Sequence, residues 1–172
     1  MKRIAVDMDG VLSDTVAQFI AWEEKETGKR KTVEEVMGCP ELEAFPNSKK
    51  YLYTEGFFRT TDVIAHSQEV LKKLNEKYEV FIVSAATEFP QSLTEKQSWL
   101  NEHFPFITWQ QMVFCGSKRI IHADVMIDDH FKNLNDFSGS LSILFTQPHN
   151  AYADNGRHTR VNGWKEIGDL LL

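Results

Sequence analysis

The feature that most constrains this chain is a series of short apolar segments, each continuous rather than alternating. Five stand out: Arg3–Asp7, Val80–Ala85, Met112–Cys115, Val125–Asp128 and Leu141–Phe145. A strand with one solvated face alternates apolar and polar residues, whereas a strand covered on both faces of a parallel sheet does not. Helical patterns lie between the runs. Ser67–Tyr78 places Val70, Leu71 and Leu74 at core-facing spacing, with lysines elsewhere. Pro90–Phe104 has proline in its first turn and Leu93, Gln97 and Leu100 along one stripe. Shorter helices are expected over Ser117–His122 and Phe131–Phe137, and Trp164–Leu171 closes the chain. Strands alternating with helices predict an α/β architecture, a doubly wound, Rossmann-like parallel sheet of about five strands.

One region breaks the rhythm. From Thr15 to Ile64 no strand pattern occurs; Thr15–Thr27 reads as a helix, Tyr51–Phe58 is rich in aromatics, and "GCPELEAFPNS" between them reads as a loop. A structureless stretch of about fifty residues is rare in a compact domain. The expected organisation is therefore a core of residues 1–14 and 65–172, with a small helical cap, residues 15–64, inserted after the first strand.

The totals narrow the function. A net charge of −6 argues against a nucleic-acid polymer as partner, but leaves room for a local anion pocket. The two cysteines, Cys39 and Cys115, have no metal-type spacing, so neither a disulfide framework nor a zinc site is expected and a cytoplasmic setting fits. No signal peptide and no membrane-spanning stretch is apparent, so no membrane partner is expected.

Two acidic pairs sit at strand ends, in "RIAVDMDGVLSD" and "VMIDDH". Side chains two apart in an extended strand share a face, so Asp7 and Asp9 can enter one cleft, and Gly10 allows a sharp turn behind them. Asp128 and Asp129 are adjacent, face opposite ways and are expected to play unequal parts. Carboxylates clustered at strand ends repel one another, which a hard divalent cation relieves. Mg2+ suits a few carboxylates plus waters and a phosphate, whereas an EF-hand calcium loop needs its glycine at the sixth position, and Gly10 is the fourth. Ser84 ends the run "VFIVSAA" and can donate a hydroxyl to phosphate. Lys118, beside a helix start in "FCGSKR", adds positive charge to it, although the glycine spacing of a Walker loop is absent. Taken singly, each is an ordinary turn or surface residue; their order along the chain is what carries information. No HExxH pairing and no GxSxG elbow occurs, and of the six histidines His130 is singled out by position.

That ordered set resembles the haloacid dehalogenase (HAD) superfamily of phosphohydrolases. Its DxDG motif is matched by Asp7, Met8, Asp9 and Gly10, its Ser/Thr by Ser84, its lysine by Lys118, and its acidic pair by Asp128 and Asp129. Within it, "DMDGVLSD", "EGFFR", "TEKQSWL", "LFTQPHN" and "RVNGWKEI" resemble the 5′(3′)-deoxyribonucleotidases. Two positions depart from that pattern: Thr15 stands where an aromatic is expected, and His130 where an arginine follows the acidic pair.

The resemblance implies a phosphoric monoester hydrolase acting on a small phosphate monoester, a (deoxy)ribonucleoside monophosphate. Asp7 would be the nucleophile that forms an aspartyl-phosphate and Asp9 the general acid and base. Mg2+ would be held by Asp7, the Asp9 carbonyl and Asp128, with Asp129 orienting metal-bound water. Lys118 and Ser84 would hold phosphoryl oxygens, and Lys96 is a further phosphate contact. Phe19, Trp22, Phe57 and Phe58 are candidates to stack on a base or to form the cap's own core, and His130 is a candidate substrate contact. Two alternatives stay open: a HAD phosphatase for another small phosphate such as a sugar phosphate or phosphoglycolate, and a non-catalytic phosphate-binding module. A homodimer is compatible with the sequence.

Overall fold

The computed structural model describes all 172 residues. In chain order its strands are β1 (Arg3–Val6), β2 (Glu79–Ser84), β3 (Met112–Phe114), β4 (Val125–Asp128), β5 (Leu141–Phe145) and β6 (Thr159–Val161). All pair in parallel, in the order β3-β2-β1-β4-β5-β6. The helices are α1 (Thr15–Thr27), α2 (Val33–Val36), α3 (Glu41–Ala44), α4 (Ser48–Leu52), α5 (Ser67–Lys77), α6 (Ser92–His103), α7 (Phe131–Asn135) and α8 (Trp164–Leu171).

The continuous apolar runs are explained by what lies on each face of the sheet. Ile4, Val6, Val80, Ile82, Ile127 and Ile143 pack on one side with Leu71 and Leu74 of α5, Trp99 and Leu100 of α6, and Ile167 of α8. Ala5, Val83, Met126 and Leu144 pack on the other with Leu134 of α7. From β1 the chain winds out through β2 to β3, then returns to β4 on the other side of β1 and proceeds outward. The carboxyl ends of β1 and β4 therefore flank the point where the winding reverses, the usual place for a ligand in such a sheet.

The sheet has six strands where the apolar runs predict about five. The sixth, Thr159–Val161, is three residues at an edge with arginine at its centre, so it leaves no apolar run. Between β1 and α5 the chain forms α1 to α4 and no strand, with its own apolar cluster that includes Phe19, Val36, Phe45, Tyr51 and Phe57. The stretch read as a loop contains α3, one turn begun by Pro40 and closed by Phe45 N donating to Glu41 O at 2.8 Å. The expected helix over Ser117–His122 is only a short 3-10 turn, Lys118–Ile120. The buried stripe of α6 is Ser92, Lys96, Trp99 and Leu100 rather than Leu93, Gln97 and Leu100; Gln97 is exposed. A lysine inside a buried stripe breaks the apolar pattern on which a sequence reading relies.

Candidate active site

The loop after β1 sets the geometry. Met8 O accepts from Leu12 N at 2.8 Å and Ser13 N at 3.0 Å, so the chain folds back in one tight turn. Gly10 takes φ 75°, a region that favours glycine. A Cβ there would lie 2.5 Å from Asp129 Oδ2, so Gly10 also provides the space in which the second acidic pair approaches the first. Asp14 then caps α1, accepting from Ala17 N at 2.9 Å.

Asp7, Asp128 and Asp129 are all buried, and their ligand oxygens lie within 4.8 Å of one another. Lys118 Nζ lies 2.6 Å from Asp7 Oδ1 and 2.6 Å from Asp128 Oδ2. Asp9 points elsewhere: its Oδ2 is 2.5 Å from Lys96 Nζ, which also donates to Ser84 Oγ at 3.0 Å. Four carboxylates thus face two ammonium groups, a formal deficit of two positive charges. Burial, with Lys118 opposing and Asp128, Asp129 and Asp9 adding to it, pushes the Asp7 carboxyl up to about 8. Burial, then the charge of Asp128, raises Asp129 well above the carboxylate range. Burial alone would lower the Lys118 ammonium, but the charges and hydrogen bonds of Asp7 and Asp128 outweigh it and raise it.

The residues fit a hard divalent cation. All three grouped donors are carboxylates. Asp129 Oδ1 is buried with no hydrogen-bond partner, a costly state for an anionic oxygen unless a cation accompanies it. The two adjacent aspartates converge on Asp7 rather than facing opposite ways, because the strand ends at Asp128, but their surroundings differ. Asp128 is enclosed, accepting from His130 N at 2.9 Å and from Asn133 Nδ2 at 3.0 Å on each oxygen. Asp129 lines the cleft.

The cleft, about 270 Å3 in volume, is bounded by Asp7, Asp9, Ser84, Lys96, Lys118 and Asp129 at its polar end and by Phe19, Phe58 and Phe89 on its apolar wall. His130 is on its rim, stacked on His149 with centroids 4.4 Å apart. Burial, then the neighbouring His130, pushes the His149 imidazole down to about 4, and its Nε2 donates to Asp129 O at 3.0 Å. Phe57 corrects an expectation. It is fully buried against Phe19 and Trp22 in the helical segment's own core and does not reach the cleft, whereas its neighbour Phe58 does. Trp22 likewise packs into that core.

Several contributors escaped the sequence reading. Asn133 braces Asp128, Asn150 Nδ2 donates to Asp129 O at 2.8 Å, and Gln147 Nε2 donates to Gly10 O at 2.6 Å. The last two lie just beyond β5, so their position after a strand's carboxyl end was the available signal. Glu41 and Phe89 bear no local mark of their place in the cleft.

Comparison with known proteins identifies the family and the fold. The family described as 5′ nucleotidase, deoxy (pyrimidine), cytosolic type C protein matches residues 1–172. A 5′(3′)-deoxyribonucleotidase of Bacillus subtilis (strain 168) is 40% identical over 174 residues, covering 99% of this chain and 99% of that protein. A protein of the same name from Bacillus phage SPbeta shows the same identity and coverage. Among solved structures, a haloacid dehalogenase-like hydrolase from Streptococcus pneumoniae superposes with TM-score 0.62 at 12% identity, covering 100% of this chain and 99% of its own. The HAD-hydrolase YfnB of Bacillus subtilis, solved bound to magnesium, gives 0.62 at 12% identity, covering 99% and 98%. At such identities these structures speak to the fold alone.

Proposed function

Because this chain belongs to the 5′ nucleotidase, deoxy (pyrimidine), cytosolic type C family, whose members are phosphoric monoester hydrolases, we propose that it is a Mg2+-dependent 5′(3′)-deoxyribonucleotidase working through Asp7. The observation that carries this reading is the meeting of Asp7, Asp128 and Asp129 at the polar end of a cleft lined by Asp7 and Asp129 together with Asp9, Ser84, Lys96 and Lys118.

Asp7, the Asp9 carbonyl, Asp128 and Asp129 are the groups that would hold Mg2+, which supplies charge neutralisation between carboxylate and phosphate and polarises the phosphoryl oxygens. The Asp7 carboxylate attacks phosphorus, forming an aspartyl-phosphate as the ester oxygen departs. This divides one difficult displacement into two easier ones. Asp9 protonates the departing oxygen, then takes a proton from the water that cleaves the acyl-phosphate. Lys118 holds Asp7 in place and offers charge to a phosphoryl oxygen, and Ser84 and Lys96 receive the others. A phosphoryl oxygen that takes over the Lys96 ammonium releases Asp9 Oδ2 to face the leaving group. The cap, residues 15–64, covers the opening, with Phe19 and Phe58 beside the base and His130 at the rim.

The test is phosphate release from a panel of dUMP, dTMP, ribonucleotides and sugar phosphates, with and without Mg2+. Preference for the deoxyribonucleotides, absent in Asp7→Asn, supports the reading. Equal or reversed preference rejects the substrate assignment. Metal and ligand binding with no release from any compound makes the protein a binding module instead.

A further inference from the structure

Glu95 stands one residue before Lys96 on α6 and faces a different neighbour. Its Oε1 accepts from Gly56 N at 2.6 Å, and its Oε2 accepts from Phe58 N and Arg59 N at 3.1 Å each. No lysine or arginine pairs with it, so three backbone donors from a distant segment meet its charge. Such charge-assisted bonds are stronger than neutral ones. The same helix grips the same segment at other points. Gln91 Nε2 donates to Leu52 O, Trp99 Nε1 donates to Thr61 O at 2.8 Å, and Glu102 pairs with Arg59. Gln91, Glu95 and Trp99 are spaced four apart, which puts them on one side of a helix.

The segment that Glu95 holds delivers Phe58 to the cleft. Lys96 Nζ lies 4.3 Å from the centroid of the Phe58 ring, and both residues are buried. Lys96 is also the residue bound to Asp9 Oδ2 and Ser84 Oγ. One helical turn therefore secures Phe58 twice, by its backbone through Glu95 and by its ring through Lys96. A desolvated ammonium over an aromatic face is held more firmly than one in water.

We propose that Glu95 is a positioning residue for the phosphate end of this cleft: by fixing the segment Gly56–Arg59 from the core helix α6, it seats Phe58 on Lys96 and so sets where the Lys96 ammonium meets phosphate. The proposal rests on the reading of the cleft as a phosphate site. It requires no contact between Glu95 and substrate. It makes the segment Leu52–Thr61 a fixed wall of the cleft, held along one stripe of α6.

Two variants test it. Glu95→Gln keeps the shape but removes the charge and replaces an accepting oxygen with a donor, leaving at least one of the three amides unpaired. Gly56→Ala disturbs the same segment without a clash: nothing lies within 4 Å of an added Cβ, but φ is +89°. The readouts are amide hydrogen exchange at Gly56, Phe58 and Arg59, calorimetric affinity for inorganic phosphate, and KM against kcat for dUMP. Both variants are expected to speed exchange at these amides, weaken phosphate binding and raise KM about tenfold or more, as displaced positioning groups do. Unchanged exchange, or unchanged phosphate affinity and KM with kcat reduced only in proportion to the folded fraction, overturns the proposal. Exchange and phosphate binding need no turnover. Wild-type protein that binds phosphate but hydrolyses no nucleotide therefore defeats the assigned reaction while these two readouts still decide the role of Glu95.

Discussion

Lys118 Nζ lies 2.6 Å from Asp7 Oδ1, a contact closed to solvent at the carboxyl end of β1. The same ammonium reaches Asp128 Oδ2, so it is the one side-chain cation bonded inside the buried acidic trio. Removing it leaves Asp128 buried without its cationic partner and Asp7 without its donor. Lys118→Met is expected to destabilise the metal-free protein by about 3–5 kcal/mol and to abolish turnover. Urea unfolding with and without Mg2+ checks this: the metal should restore part of the loss, and a metal-free stability equal to wild type would refute the account.

Asp7 also makes stability depend on pH. Its folded carboxyl is pushed up to about 8 from an ordinary 3.8, so between those values the folded chain keeps a proton that the unfolded chain has released. The stability it contributes is fully present below the lower value and is lost as pH rises through the upper one. A divalent cation favours the ionised trio and competes with that proton. The rise in Tm on adding Mg2+ should therefore be larger at pH 8 than at pH 5, and should shrink in Asp129→Asn. Equal increments at both pH values, or an undiminished increment in the variant, would contradict this.

Gly10→Ala should disable the site from outside the chemistry. The new Cβ falls 2.5 Å from Asp129 Oδ2, on a backbone at φ 75°. The strain should cost about 1–3 kcal/mol. Turnover should fall along with the Mg2+ response, because the displaced group is a proposed metal ligand. Thermal melts and a magnesium titration of activity provide the check, and wild-type values in both would show that the loop accommodates the methyl.

Two adjacent aromatics should separate cleanly. Phe57 lies wholly within the helical segment's core, so Phe57→Ala should cost about 3–5 kcal/mol and leave KM of the folded fraction unchanged. Phe58 lines the cleft and touches Lys96, so Phe58→Leu should raise KM at a smaller cost in Tm. Chemical denaturation paired with steady-state kinetics distinguishes them, and a KM effect for Phe57 equal to that of Phe58 would reject the division.

The residues legible in advance share a property: each leaves a local mark. Val125–Asp128 and Leu141–Phe145 have in the structure the bounds read from their apolar runs, because a strand covered on both faces excludes polar residues for its whole length. Asp7, Asp128 and Asp129 were visible because carboxylates interrupt such runs at their ends. Thr159–Val161 was invisible because an edge strand of three residues with Arg160 at its centre has no such signature.

The amino-acid order by itself determined the βα rhythm, the helical insertion after β1 and the identity of the acidic strand ends, since burial on two faces and the repulsion of clustered charge act within a few residues. Only the tertiary structure decided that Lys96 meets the Asp9 side chain, that Phe58 and not Phe57 faces the cleft, and that Glu95 grips a segment 36 to 39 positions away. Those outcomes depend on which distant backbone donor or ring arrives beside a side chain, and neighbouring residues in the chain have no means of specifying that arrival.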